Sequence, residues 1–230
     1  MMFYQDTIVT VVNGNKNPIR ELESEKLNKG RKCKVILPFD TEYQFLIKNN
    51  CDTRIKLDID IDGSNITNDG LVINSYQHYY LERFLNSPEK FKFVKKDNYQ
   101  VSDPTNIENG IIKVKIYKEN KKEKYMLSPY EYTTGFQNSI MRGMDYTSTN
   151  FDCNANKCLY SCSNIQSLNS NIGEVGATVG GSHSNQNFST TEWNGDNGVD
   201  TEFVFILRGL DNNNNKKLEQ YYKLKSELGL

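Results

Sequence analysis

From Arg54 to Ile61 the chain reads Arg-Ile-Lys-Leu-Asp-Ile-Asp-Ile, an unbroken alternation of charged and aliphatic side chains that runs into Asp62-Gly63. Successive side chains of a strand point to opposite faces, so Ile55, Leu57, Ile59 and Ile61 share one face and Arg54, Lys56, Asp58 and Asp60 the other. A helix would scatter the four aliphatics around its circumference. Asp-Gly supplies the positive φ of a tight hairpin turn. The run is therefore a half-buried strand entering a hairpin.

The same period of two recurs along the chain. It marks Thr7 to Val12, then Cys33, Val35 and Leu37 up to Pro38, then Tyr43, Phe45 and Ile47, then Phe91 and Phe93, and then Ile112, Val114 and Ile116. Phe203 to Leu207 is apolar at every position, as expected of a central strand covered on both faces. Turn pairs such as Asn13-Gly14, Asp69-Gly70 and Asn109-Gly110 separate these segments. Short strands joined by tight turns imply antiparallel pairing. The one helical pattern is Lys216 to Leu228, where Leu218, Tyr221, Tyr222, Lys225 and Leu228 follow helical spacing after the Asn212 to Asn215 run.

The expected fold is all-β, an antiparallel β-sandwich or jelly-roll-like domain with an irregular middle excursion and one C-terminal α-helix. Residues 1–119 form the sandwich core, 120–171 a Tyr- and Cys-containing excursion, 172–210 a returning β segment, and 211–230 an Asn-rich tether with its helix.

Charge and composition narrow the partners. With 230 residues and a net charge of −1, the chain carries no global field for nucleic acid or an anionic membrane surface. No apolar run approaches the roughly 20 residues of a membrane span. Met1 to Asp6 lacks the basic and apolar regions of a secretory signal, and five cysteines make an odd count, so reduced thiols inside a cell are expected. The partner is then a protein or a second copy of the chain, and the location is the cytoplasm, or a virion if the source is viral.

Few motifs bear on chemistry. Asp58, Asp60, Asp62 and Gly63 match the first half of a calcium-binding EF loop, with Asp69 at its twelfth position. The residues before Asp58 alternate as a strand where an EF-hand needs a helix. Asn65 stands where that loop has an apolar residue. A solvated strand face is the simpler reading, and weak calcium binding by Asp58, Asp60, Asp62 and Asp69 is the alternative. No other cofactor is expected. Cys153, Cys158 and Cys162 lack a fourth nearby ligand for zinc. His78 and His183, the two histidines, sit by no nucleophile-elbow spacing, so no catalytic residue is assigned. Trp193, the single tryptophan, lies among Glu192, Asn194, Gly195 and Asp196, a setting that suits either a loop-anchoring indole or a sugar-stacking platform.

Two blocks of sequence carry a resemblance. The first comprises Tyr43 to Asn50, Arg54, Ile61-Asp62-Gly63, Gly70-Leu71-Val72-Ile73, Leu81-Glu82-Arg83-Phe84 and Phe91-Lys92-Phe93. The second is Gly176 to Phe188, a Gly-x-Thr-Val-x-Gly-Ser-x-Ser-x-Gln-x-Phe segment. Together they resemble a set of uncharacterised β-rich proteins of large DNA viruses, phages, bacteria and some protists. Many of those have Gly-Trp where this chain has Arg83-Phe84. The resemblance implies a β-sandwich and supplies no catalytic residues. The expected function is a non-enzymatic structural or interaction protein, with a virion-associated or capsid-decorating role as one concrete form. The alternatives are a carbohydrate- or calcium-binding module and, more remotely, an enzyme.

Overall fold

The computed structural model describes residues 2–120, 173–195 and 198–210. These contain thirteen strands and no helix: β1 (Met2–Tyr4), β2 (Thr7–Asn13), β3 (Glu21–Leu27), β4 (Gly30–Pro38), β5 (Thr41–Asn49), β6 (Ile55–Ile61), β7 (Ser64–Asn65), β8 (Leu71–Ile73), β9 (His78–Leu81), β10 (Glu89–Lys95), β11 (Ile111–Lys118), β12 (Glu174–His183) and β13 (Thr201–Leu210). The expected C-terminal helix and the excursion from residue 121, with its three cysteines, lie outside the described residues. Among the described residues no helix is long and apolar enough to cross a membrane.

The strands form two layers. In the first, β1, β2 and β5 pair in that order, β9 and β10 share the far edge of β5, and β12 follows β10. In the second the order is β3-β4-β13-β11-β6, with β7 and β8 against β6. The layers meet through apolar side chains that the two-residue period sends inward: Phe45 of β5 lies 6.4 Å from Phe205 of β13, ring centre to ring centre. Tyr43, Phe45, Phe84 and Phe91 form an aromatic cluster around that contact, with centroids 4.8 to 5.6 Å apart. Ile55, Leu57 and Ile59 are fully buried, as their alternation predicts.

Strand β12 belongs to both layers. Its first residues, Glu174 and Val175, pair with Gly209 and Arg208 of β13, and from Gly176 onward it pairs with β10. Glycine is required at this corner. A Cβ on Gly176 would stand 2.4 Å from the Phe93 ring and 2.5 Å from the Val94 carbonyl oxygen. The expected Asp-Gly hairpin is present: Asp62 and Gly63 have φ of 52° and 81° and join β6 to β7, a two-residue loop with both central residues left-handed.

Two local expectations are revised. The β4–β13 ladder is parallel, from Gly30 opposite Glu202 to Pro38 opposite Leu210. Tight turns dictate antiparallel pairing only between strands adjacent in sequence, and these two are far apart. Strand β13 is also not covered on both faces. Phe203, Phe205 and Leu207 are fully buried, but Val204 and Ile206 on the outer face are half-buried. They sit in register with Lys32 and Lys34 of β4.

Candidate functional site

The hairpin at Asp62 separates the four aspartates proposed for calcium. Asp58 and Asp60 lie on the outer face of β6, about 7 Å apart along the strand. Asp60 accepts a hydrogen bond from the Asn65 amide (2.9 Å) and pairs with Lys115 (3.3 Å). Asp58 is held by the Tyr117 hydroxyl. Asp69 is exposed on the loop before β8. The left-handed turn swings Asp62 inward, where its two oxygens accept the backbone N–H groups of Gly110 and Thr178, each at 2.6 Å. Burial pushes the Asp62 carboxyl up to about 6, against the pull of those N–H groups. Asn65 organises the following turn, its side-chain oxygen accepting the N–H of Thr67 and of Asn68. Among the described residues, no three His, Cys, Asp or Glu side chains gather as a metal site. A strand presents same-face carboxylates in a row, whereas calcium needs oxygens converging at about 2.3–2.6 Å.

Asp62 thus serves as a tie. Through Thr178 it links the β6–β7 turn of one layer to β12 of the other, and Thr178 in turn bonds the buried Tyr43 hydroxyl (2.8 Å). An open cleft of about 500 Å³ lies over this point, lined by Asp62, Glu89, Asp103, Asn106, Thr178 and Gly180.

After β12 the chain runs extended beside β9, held by a side-chain clasp. Gln186 donates to the Tyr80 carbonyl (2.6 Å), and its side-chain oxygen accepts the Glu82 N–H (3.2 Å). Ser184, buried, hydrogen-bonds the Glu82 carboxylate and accepts the Gln186 N–H (3.0 Å). Arg83 donates to the Gln186 carbonyl (2.8 Å) and stacks over Phe188, 4.4 Å from its centre. The two sequence blocks that carry the resemblance are therefore neighbours in space. Nothing in the strand pattern predicts the clasp, because its bonds join a strand to a segment with no periodicity of its own.

Beyond the clasp lies a groove of about 490 Å³ between β8 and residues 187–193. Half-buried Tyr79, Leu85, Phe188 and Trp193 form its apolar lining, and exposed Asn68 and Asp69 stand on the rim. Trp193 and Asp69, singled out separately in the sequence, thus line one groove. The Trp193 ring rests on Gly195, where a Cβ would come within 2.5 Å of it, and Lys56 lies 5.8 Å from its centre. Its indole N–H is buried with no acceptor among the described residues. Tyr79, Leu85 and Phe188 were not identifiable from sequence, since each reads as ordinary core.

The remaining candidates hold no such convergence. His78 is exposed and edge-on to Tyr80 at 6.0 Å, and His183 is exposed at the end of β12. Cys33 and Cys51 are buried free thiols, and burial pushes Cys33 up to about 12, which suppresses its thiolate. Compared with models of known families, with curated proteins and with solved structures, the chain matches none.

Proposed function

We propose that this chain is a non-enzymatic interaction protein that captures its ligand in the groove beside Trp193. The convergence of Tyr79, Leu85, Phe188 and Trp193 with a polar rim in one open groove carries this reading. Small-ligand sites are largely apolar concavities with a few polar groups, commonly of roughly 300–1,000 Å³. The interior ionisable groups support it from the other side. Asp62 is engaged by two N–H groups, Tyr43 by Thr178, and Cys33 is suppressed by burial. Burial thus takes Cys33 out of nucleophilic work, and Asp62 is bound into the fold as a tie between β6 and β12.

Trp193 is the only tryptophan, so its emission reports on this groove directly. Titrating oligosaccharide and peptide panels while following that emission tests the reading, with bound ligands recovered and weighed by mass spectrometry. A shifted emission with the ligand returned intact is expected. Silence across the panels would remove the groove, and chemical conversion of a ligand would make the protein an enzyme.

A second reading, self-association, is favoured by the loop between β10 and β11, where Tyr99 and Ile107 are 92% and 88% exposed. A virion-associated role, if the resemblance holds, is one setting in which such contacts would be used.

A further inference from the structure

The lining of the groove specifies a ligand class, an inference that rests on the groove reading above. We propose that it binds neutral oligosaccharides. Tyr79, Phe188 and Trp193 bring aromatic rings to the lining, the kind of surface on which the C–H face of a pyranose packs. The rim adds the Asn68 and Asn187 amides and the Ser189 hydroxyl. Amides and hydroxyls both donate and accept, which matches sugar hydroxyls that do the same.

Charge sets the specificity. Asp69 is the one carboxylate in the lining, and no lysine or arginine accompanies it. A phosphate, sulfate or uronate would meet repulsion from Asp69, while the neighbouring Lys56 is already held between the Tyr117 and Trp193 rings, 4.8 and 5.8 Å from their centres.

An extended peptide adding to the β8 edge is less well served. β8 is three residues long, and the Asn49 amide already donates to the carbonyls of Ile73 (3.4 Å) and Asn74 (3.0 Å) at its end. Little backbone is left there for the ladder that holds an added strand.

The test uses calorimetry and Trp193 emission on the full chain with cellohexaose, chitohexaose, an oligogalacturonate and a panel of extended peptides. Binding of a neutral oligosaccharide with an emission change is expected, and no binding of the oligogalacturonate. Asp69→Asn, at an exposed position, should fold as the parent does and weaken neutral-sugar binding at least about tenfold through loss of a charged acceptor. Trp193→Phe, followed by calorimetry alone, should weaken it similarly. Binding that survives both substitutions unchanged overturns the assignment, as does preference for the acidic sugar. A peptide that shifts Trp193 emission while no sugar binds overturns the ligand class and leaves the groove standing. Silence from every probe removes both.

Discussion

Asp62 shows how one residue can decide between a metal site and a structural tie. Its neighbours Asp58 and Asp60 obey the strand and face outward, but the left-handed turn gives Asp62 a different partner set. Asp62→Asn keeps the shape but sets an NH₂ group against one of two N–H donors. It should cost about 1–3 kcal/mol at neutral pH, measured by urea unfolding. The pH dependence has a definite sign. With the folded-state value raised to about 6 from 3.8, the carboxyl contributes stability that is full below about pH 3.8 and lost as pH rises through 6. The stability gap between parent and Asp62→Asn should therefore widen on acidification from pH 7 to pH 4. A gap that narrows would show that the two N–H bonds outweigh burial.

At the scale of elements, β12 does the joining, and its corner is tight. Gly176→Ala places a methyl against Phe93 and the Val94 carbonyl, with an expected loss of about 1–3 kcal/mol. Gly14→Ala, where nothing lies within 4 Å of the added carbon, should stay within about 0.5 kcal/mol. Paired denaturant curves decide both. In the clasp, Gln186→Ala leaves the Glu82 N–H and the Tyr80 carbonyl without their partner. Hydrogen exchange should rise at Glu82 and across residues 184–193, with stability reduced by about 1–3 kcal/mol.

Strands were legible because their signal is local. Alternation at Ile55 to Ile61 or Ile112 to Ile116 states which side is buried, and Asp62-Gly63 states where the chain turns. The parallel β4–β13 ladder was not legible, since nothing within either strand records which distant strand lies beside it. The site was half legible for the same reason. Trp193 and Asp69 stand out by type and context, whereas their meeting, and the roles of Phe188 and Gln186, depend on the β9 clasp.

At the scale of the molecule, calcium and self-association give separate tests. Asp58, Asp60 and Asp62 are held by different partners and Asp69 lies on an exposed loop, so millimolar calcium should leave the melting temperature unchanged. A clear rise that Asp60→Asn abolishes would restore a metal role. Native mass spectrometry should find an oligomer that Tyr99→Ser with Ile107→Ser dissolves, if the exposed loop is a contact. A monomer in both forms would remove self-association.

The parallel ladder has a further consequence, for the order of events at the ribosome. β4 and β13 are about 170 residues apart, so at roughly 5–20 residues per second β4 waits on the order of ten to thirty seconds for its central partner. During that interval β3 can pair with one edge of β4, but the other edge has no mate, and the inner faces of both layers stay open to water. Nascent chains arrested before Thr201 should accordingly be cut readily near β4 by a protease that spares the completed chain. The last strand described is then the one that commits the whole sandwich, and the interval before it emerges is when this protein most needs a chaperone.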